Sequence, residues 1–149
     1  MAETVPLPLS AHNTTVQSTE DQSLRAACKE ILEALLEQTP ATRFATLATV
    51  DGRSYAHAGH GQGQAGQRYA AITSSLMGLI ESFSKEALGD GAQYNSIATD
   101  KGSIVIVRVP SRAKLHTLCV CADASDNMAM TIRAALDTSH KLAARIDAR

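Results

Sequence analysis

The chain has 149 residues, 44% of them hydrophobic, and a formal net charge of −1 at pH 7. This composition predicts one globular domain and excludes a chain that is disordered throughout, and the near-neutral charge gives no electrostatic basis for binding nucleic acid or an anionic membrane. No apolar run approaches the length of a membrane span, and an odd count of three Cys does not indicate a disulfide framework, so we expect a cytoplasmic protein.

The first segment, residues 1–20, is rich in Thr, Ser, Pro and Gln, which is typical of a flexible tail. A helix is predicted to begin near Ser23, because apolar residues then recur every three or four positions, and Pro40 marks its end. The expected organisation is therefore a tail over 1–20 and one folded domain over 21–149.

Two strands are expected next, over 43–50 and 54–58, joined by a tight turn at Asp51-Gly52. A loop of Gly and Gln over 59–67 separates them from a second helix, predicted over 70–88. This helix has two unlike faces. One is a stripe of larger apolar residues, namely Ile72, Leu76, Leu79, Ile80, Phe83 and Ala87; the other is small and polar and carries Ser74, Ser75, Gly78, Ser82 and Lys85.

Three more strands are predicted, over 93–99, 103–109 and 115–122. They are followed by a helix over about 126–144, with Asp126 or Asn127 as its N-cap. Short turns join the first two strands and the last three, and turns of that length connect only antiparallel neighbours. The order αββαβββα therefore predicts an α+β fold in which helices cover an antiparallel sheet.

The stretch Gly61-Gln62-Gly63-Gln64-Ala65-Gly66 matches the dinucleotide-binding pattern G-x-G-x-x-G. That pattern requires a buried parallel strand before the glycines, whereas segment 54–58 contains polar residues and is expected in a hairpin. Asp100 could bind a ribose, but it already has a role in a predicted turn. We interpret the glycines as a flexible linker and keep a nucleotide-cofactor enzyme as the third hypothesis.

His57 and His60 could be two ligands of a metal ion, with Cys119 and Cys121 as the others, since a zinc site needs three or four ligands. The cysteines alternate with apolar residues in a predicted strand, which favours small core residues. We therefore predict no metal and no cofactor.

A Cys nucleophile activated by His116 or His140 is a further catalytic possibility. Nothing in the sequence marks a thiol as exposed or activated, there is no Ser in a G-x-S-x-G turn, and no pair of carboxylates lies in apolar surroundings. No catalytic residue is predicted.

Four segments together resemble the Roadblock family, which includes dynein light chains and bacterial regulators of small GTPases. They are ATVDGRSYAHAG, the helix AAITSSLMGLIESFSKEAL, the hairpin SIATDKGSIVIVRV, and LCVCADASDNMAMTIRAA. The resemblance implies a profilin-like, five-stranded antiparallel sheet, with the second helix on one face and the terminal helices on the other. The connection over 59–67 is longer than is usual in the family.

The resemblance also implies a homodimer formed through the second helix and the third strand, with one sheet continuing across both subunits. The small helix face would let two helices approach closely, and strand 93–99 would otherwise be an exposed edge. The implied interface consists of Ser74, Ser75, Gly78, Ser82, Tyr94, Ser96 and Ile97.

Bacterial relatives often bind Ras-like small GTPases, so the resemblance implies such a partner, bound through Ser75, Ser82, Lys85 and Glu86. The predicted function is a non-catalytic homodimeric regulator or scaffold that orders the GTPase switch loops without supplying an arginine finger. The alternative is a scaffold subunit of a signalling or motor complex whose binding does not depend on nucleotide state.

Overall fold

Over residues 10–148, the chain folds into three helices and five strands in the predicted order αββαβββα. The computed structural model describes residues 10–148, with side chains described from residue 16 onward. The helices are α1 (Ser10–Gln38), α2 (Gln64–Leu88) and α3 (Met128–Asp147), and the strands are β1 (Thr42–Thr49), β2 (Ser54–Gly59), β3 (Tyr94–Thr99), β4 (Gly102–Arg108) and β5 (His116–Asp123).

The strands form one antiparallel sheet in the order β2-β1-β5-β4-β3. Because side chains alternate across a strand, the sheet has two separate cores. Leu47 and Leu118 belong to a large cluster that includes buried residues of α1 and α3. On the other face, Ile106 and Cys119 pack with Met77 of α2. Helices on both faces confirm the predicted fold class.

Helix α1 begins at Ser10, whereas the apolar spacing placed its start near Ser23. Residues 10–20 are therefore helical, which corrects the tail predicted over 1–20, and residues 1–9 lie outside the described residues. The carboxylate of Asp21 accepts hydrogen bonds from Arg25 Nε and from the Tyr55 hydroxyl, each at 2.9 Å, and the Arg25 guanidinium lies 4.4 Å from the centre of the Tyr55 ring. These contacts are polar, so a search for apolar periodicity does not detect them.

Helix α2 begins at Gln64, so the linker expected over 59–67 is a short loop of residues 60–63. Gly61 and Gly63 have φ values of 87° and 75°, in the left-handed region that favours glycine. At Gly66, a Cβ atom would lie 2.9 Å from the Gly61 carbonyl oxygen and 3.4 Å from the His57 ring. The three glycines turn the chain tightly from β2 into α2 and let the helix pack closely against the strand.

Helix α3 begins after Asn127, which is the N-cap. Its side-chain oxygen accepts a hydrogen bond from the Met130 N–H at 2.9 Å, whereas Asp126 accepts one from the Asn127 N–H. The structure thus decides between the two capping residues that the sequence allowed. Ala135 and Leu142 are buried on the sheet-facing side of α3, as the apolar spacing predicts.

Candidate functional site: an apolar surface on α2 and β3

Helix α2 faces the sheet with its smaller residues. Gly66, Ala70 and Thr73 are buried there together with Met77. Because three of these four side chains are small, the helix axis can lie close to the sheet. The large residues of the apolar stripe are consequently left on the outer side of the helix.

The apolar stripe of α2 is exposed. The exposed fractions are 56% for Ile72, 68% for Leu79 and 70% for Phe83, and Leu76 and Ile80 are half-buried. Sequence reasoning attributed the contact between subunits to the small polar face and missed this stripe as a surface. The stripe was visible in the sequence. Whether it faces the sheet or the solvent could not be predicted from the sequence of the helix alone.

The small polar residues of α2 occupy different positions. Ser74 is half-buried, and its hydroxyl donates a hydrogen bond to the Val50 carbonyl oxygen at 2.8 Å, so it is engaged within the chain. Ser75, Gly78 and Ser82 are exposed, and a Cβ atom at Gly78 would meet no atom within 4 Å. Ser75 and Ser82 therefore lie beside the apolar stripe and leave room around it.

Among the strands that the structure describes, β3 is an edge of the sheet, since it pairs only with β4. The Asn95 amide lies 4.0 Å from the Met77 sulfur, which places Asn95 and Ile97 on the face that carries α2. Tyr94 and Ser96 point to the opposite face and are exposed. An open edge with unpaired backbone groups is a template for pairing with another strand.

The two features combine into one candidate interface, which we call the α2–β3 surface. It comprises Ile72, Leu79 and Phe83 of α2 together with Ile97 of β3 and its cross-strand neighbour Ile104 of β4. Exposed apolar patches beside an open sheet edge mark protein interaction sites. Near the end of α2, Glu86 is exposed, and so is Lys85, which pairs with Glu81 at 3.6 Å on the other flank of the helix.

Of the two histidines suggested as metal ligands, His57 and His60, the ring of His57 is engaged in the fold. His57 Nε2 lies 2.7 Å from the carbonyl oxygen of His60, which can only accept, so Nε2 donates; in the neutral ring Nδ1 then accepts from the Thr46 hydroxyl at 2.6 Å. Phe44 stacks on the same ring and, at 4.4 Å between ring centres, on Tyr69 of α2. In the described part of the chain, no three His, Cys, Asp or Glu side chains are grouped as a metal site would require.

The cysteines considered as nucleophiles are not activated. Burial raises the pKa of Cys119 to about 11, and burial also raises the pKa of Cys121. Both lie on the α2 face, whereas His116 packs edge-on against Tyr55 on the opposite face of the sheet. The sheet therefore separates these thiols from His116, one of the two imidazoles suggested to activate them.

The glycine pattern lacks the setting of a dinucleotide site. The strand before it, β2, is an antiparallel edge strand, and Asp100 follows β3 at the other edge of the sheet. A dinucleotide fingerprint needs a parallel βαβ unit. The glycines therefore have the structural role described above.

Together, the three layers and the open sheet edge define an α/β/α domain of the type in which helices cover both faces of a five-stranded antiparallel sheet. The Roadblock/LC7 domain profile matches residues 28–118, and the chain belongs to this family. No curated protein matches the sequence.

Solved structures support the same fold at low sequence identity. Myxococcus xanthus MglB has 14% identity and a TM-score of 0.74, over 83% of this chain and 90% of that one. The gliding protein MglB from Thermus thermophilus has 17% identity and a TM-score of 0.72, over 85% and 93%. A Roadblock/LC7 domain from Streptomyces avermitilis has 18% identity and a TM-score of 0.71, over 79% and 96%.

Proposed function

We propose that this protein is a non-catalytic, cytoplasmic homodimer that binds a Ras-like small GTPase and regulates its nucleotide cycle or its location. The exposed α2–β3 surface is the observation that carries the proposal, because it combines an apolar helix stripe with an unpaired strand edge. Membership of the Roadblock/LC7 family supports it. Within residues 10–148, no helix is both long and apolar enough to cross a bilayer.

In the proposed dimer, the β3 strands of two copies pair across a two-fold axis, so that the two sheets become one. Such an interface is isologous, and each α2 stripe then packs against the stripe of the other copy. Ser75 and Ser82 flank the contact and allow close approach of the helices. Tyr94, Ser96 and Ile97 lie along the pairing strand.

The proposed GTPase site uses the outward side of α2, with Lys85 and Glu86 beside Ser75 and Ser82. These residues are exposed and polar. A surface that binds only one arrangement of the switch loops shifts the GTPase population toward it. The mechanism is positional and needs no group on this chain that takes part in bond breaking.

The test is binding to Ras-like GTPases encoded in the same genome, each loaded with GDP or with a non-hydrolysable GTP analogue. We expect saturable binding to one of them that depends on the nucleotide, and weaker binding by a Lys85→Glu variant. Arg133→Glu is the matched control, because Arg133 is an exposed cation on α3. Binding that is equal for both nucleotide states would favour the scaffold function, and no binding to any of these GTPases would contradict the proposal.

A further inference from the structure

A groove of about 780 Å³ lies on the other flank of α2. The end of α2, the loop after it, the end of β4 and the middle of α3 line it. Glu81, which lines the groove, is nine residues from Ile72, which is a rotation of about 180° around a helix with 3.6 residues per turn. Glu81 and the apolar stripe are therefore on opposite sides of α2, whereas Lys85 belongs both to the lining of the groove and to the proposed GTPase site.

The groove carries a small excess of positive charge. Its lining includes the cations Lys85, Arg108 and Lys114 and the carboxylates Glu81 and Asp90. Glu81 is shared, because it lies 3.6 Å from Lys85 and 3.5 Å from Arg108. With His140 counted as neutral, the three cations and two carboxylates leave the lining with one net positive charge. This charge suits an occupant with one negative charge.

Arg108 is incompletely bonded. Its Nη2 atom makes the 3.5 Å contact with Glu81, and its Nε atom is buried with no hydrogen-bond acceptor among the described residues. A guanidinium has five N–H donors in a planar fork that matches a carboxylate, and a buried donor without an acceptor costs free energy. The guanidinium lies beside Glu81 of α2, and the Arg108 side chain is 23% exposed. The exposed part of the group is what an occupant of the groove can reach.

Apolar residues line other parts of the same groove. Pro110 at the end of β4, Leu136 of α3 and Ala92 before β3 also line the groove. The volume lies in the range of ligand clefts, roughly 300 to 1,000 Å³. An occupant would place an anionic group on Arg108 and an aliphatic group against these side chains.

We infer that this groove binds a short peptide segment of a partner protein in which an acidic side chain lies beside aliphatic ones. The carboxylate bonds to Arg108, and the aliphatic neighbours contact Pro110 and Leu136. Inorganic phosphate fits less well, because Glu81 and Asp90 repel a dianion. The inference does not depend on the GTPase or on dimerisation.

The probe is a blocked peptide, acetyl-Ala-Leu-Glu-Leu-Ala-amide, with the Gln peptide as its matched control. It is titrated into the full chain, and the Arg108 Nε–Hε signal and the backbone amides are followed by NMR. We expect saturable shifts around Arg108 and at least about tenfold weaker binding of the Gln peptide, since a hydrogen bond to a charged group contributes that much or more.

Arg108→Gln should weaken binding of the Glu peptide about tenfold or more, and Arg133→Gln should leave it unchanged. Because Arg108→Gln also breaks the contact with Glu81, Lys114→Gln is a second variant, expected to weaken binding with an unchanged amide spectrum elsewhere. Equal affinity for the Glu and Gln peptides would overturn the inference. Tighter binding of inorganic phosphate would also overturn it, as would the lack of any saturable shift up to about 10 mM peptide, the weak limit of measurable affinity.

Discussion

Replacing Leu79 with Ala should dissociate the proposed dimer without unfolding the subunit. Leu79 is 68% exposed in the single chain, so the subunit gains little from its side chain. In the proposed dimer the same side chain is buried against the second copy, and the symmetry places two such residues in one interface. The substitution therefore acts on association rather than on folding.

The size of the effect follows from the exposed fraction. Full burial of a Leu side chain contributes about 1.5 to 3 kcal/mol. About two thirds of this is still to be gained on association, which is roughly 1 to 2 kcal/mol per subunit and roughly 2 to 4 kcal/mol per dimer. The dimer Kd should then rise about 30- to 700-fold, while the free energy of unfolding of the subunit changes by no more than about 0.5 kcal/mol.

Sedimentation equilibrium over a range of concentrations measures the Kd, and urea unfolding of the monomeric form measures stability. Met130→Ala is the control, because Met130 is also exposed, at 56%, but lies on α3 outside the α2–β3 surface. A wild-type chain that is monomeric throughout, or a Leu79→Ala dimer as tight as the wild type, would refute the reasoning. If Gly78→Arg dissociates the dimer and Leu79→Ala does not, the small polar face forms the contact instead.

Three further predictions concern the fold. Gly61→Ala should lower the free energy of unfolding by about 1 to 3 kcal/mol more than Gly63→Ala. Both glycines have positive φ, but only at Gly61 would a Cβ atom lie 2.5 Å from an aromatic ring carbon. Equal losses of the two variants in urea unfolding would contradict this prediction. Asn127→Ala should lower the free energy of unfolding by about 1 kcal/mol through loss of the helix N-cap, and Asp126→Ala should lower it by less. The reverse order in the same assay would show that the cap is misassigned. Burial raises the pKa of the Cys119 thiol from 9.0 to about 11, so the folded chain holds this proton over a range where the unfolded chain has lost it. The contribution of this thiol to the free energy of unfolding is fully present below pH 9 and decreases by roughly 2 to 3 kcal/mol toward pH 11. In urea unfolding across that range, the free energy of unfolding of the Cys119→Ala variant should decline less steeply than that of the wild type. Parallel curves for the two proteins would contradict the reasoning.

The order of elements and the sheet were predictable from local signals. Asp51-Gly52 and Asp100-Lys101-Gly102 indicate tight turns, and tight turns require antiparallel neighbours. The strand ends differ from prediction by at most one residue, and the apolar stripe predicted for the second helix exists. The family resemblance rested on these same segments, and the domain match over residues 28–118 confirms it.

The start of α1 and the start of α2 were not predictable by the same means. The turn of α1 before Ser23 is held by Asp21, whose partner Tyr55 lies on β2, 34 residues away. The sequence pattern of the glycines before α2 predicted a flexible linker, because the spacing of glycines does not indicate which residues they pack against. In the structure Gly66 lies against His57, so a close contact rather than flexibility explains it.

By itself, the sequence determined the fold class, the family and the existence of a helix with two unlike faces, because periodicity and turn chemistry are local properties of the chain. Only the tertiary structure decided which face of α2 is covered: the sheet takes Ala70, Thr73 and Met77, and Leu79 is left outside. The contact of Glu81 with Arg108, 27 residues apart, likewise exists only once β4 is in place beside α2. The burial and ion pairing of a side chain depend on the residues that pack against it. The packing of elements that are distant in the sequence fixes which residues these are.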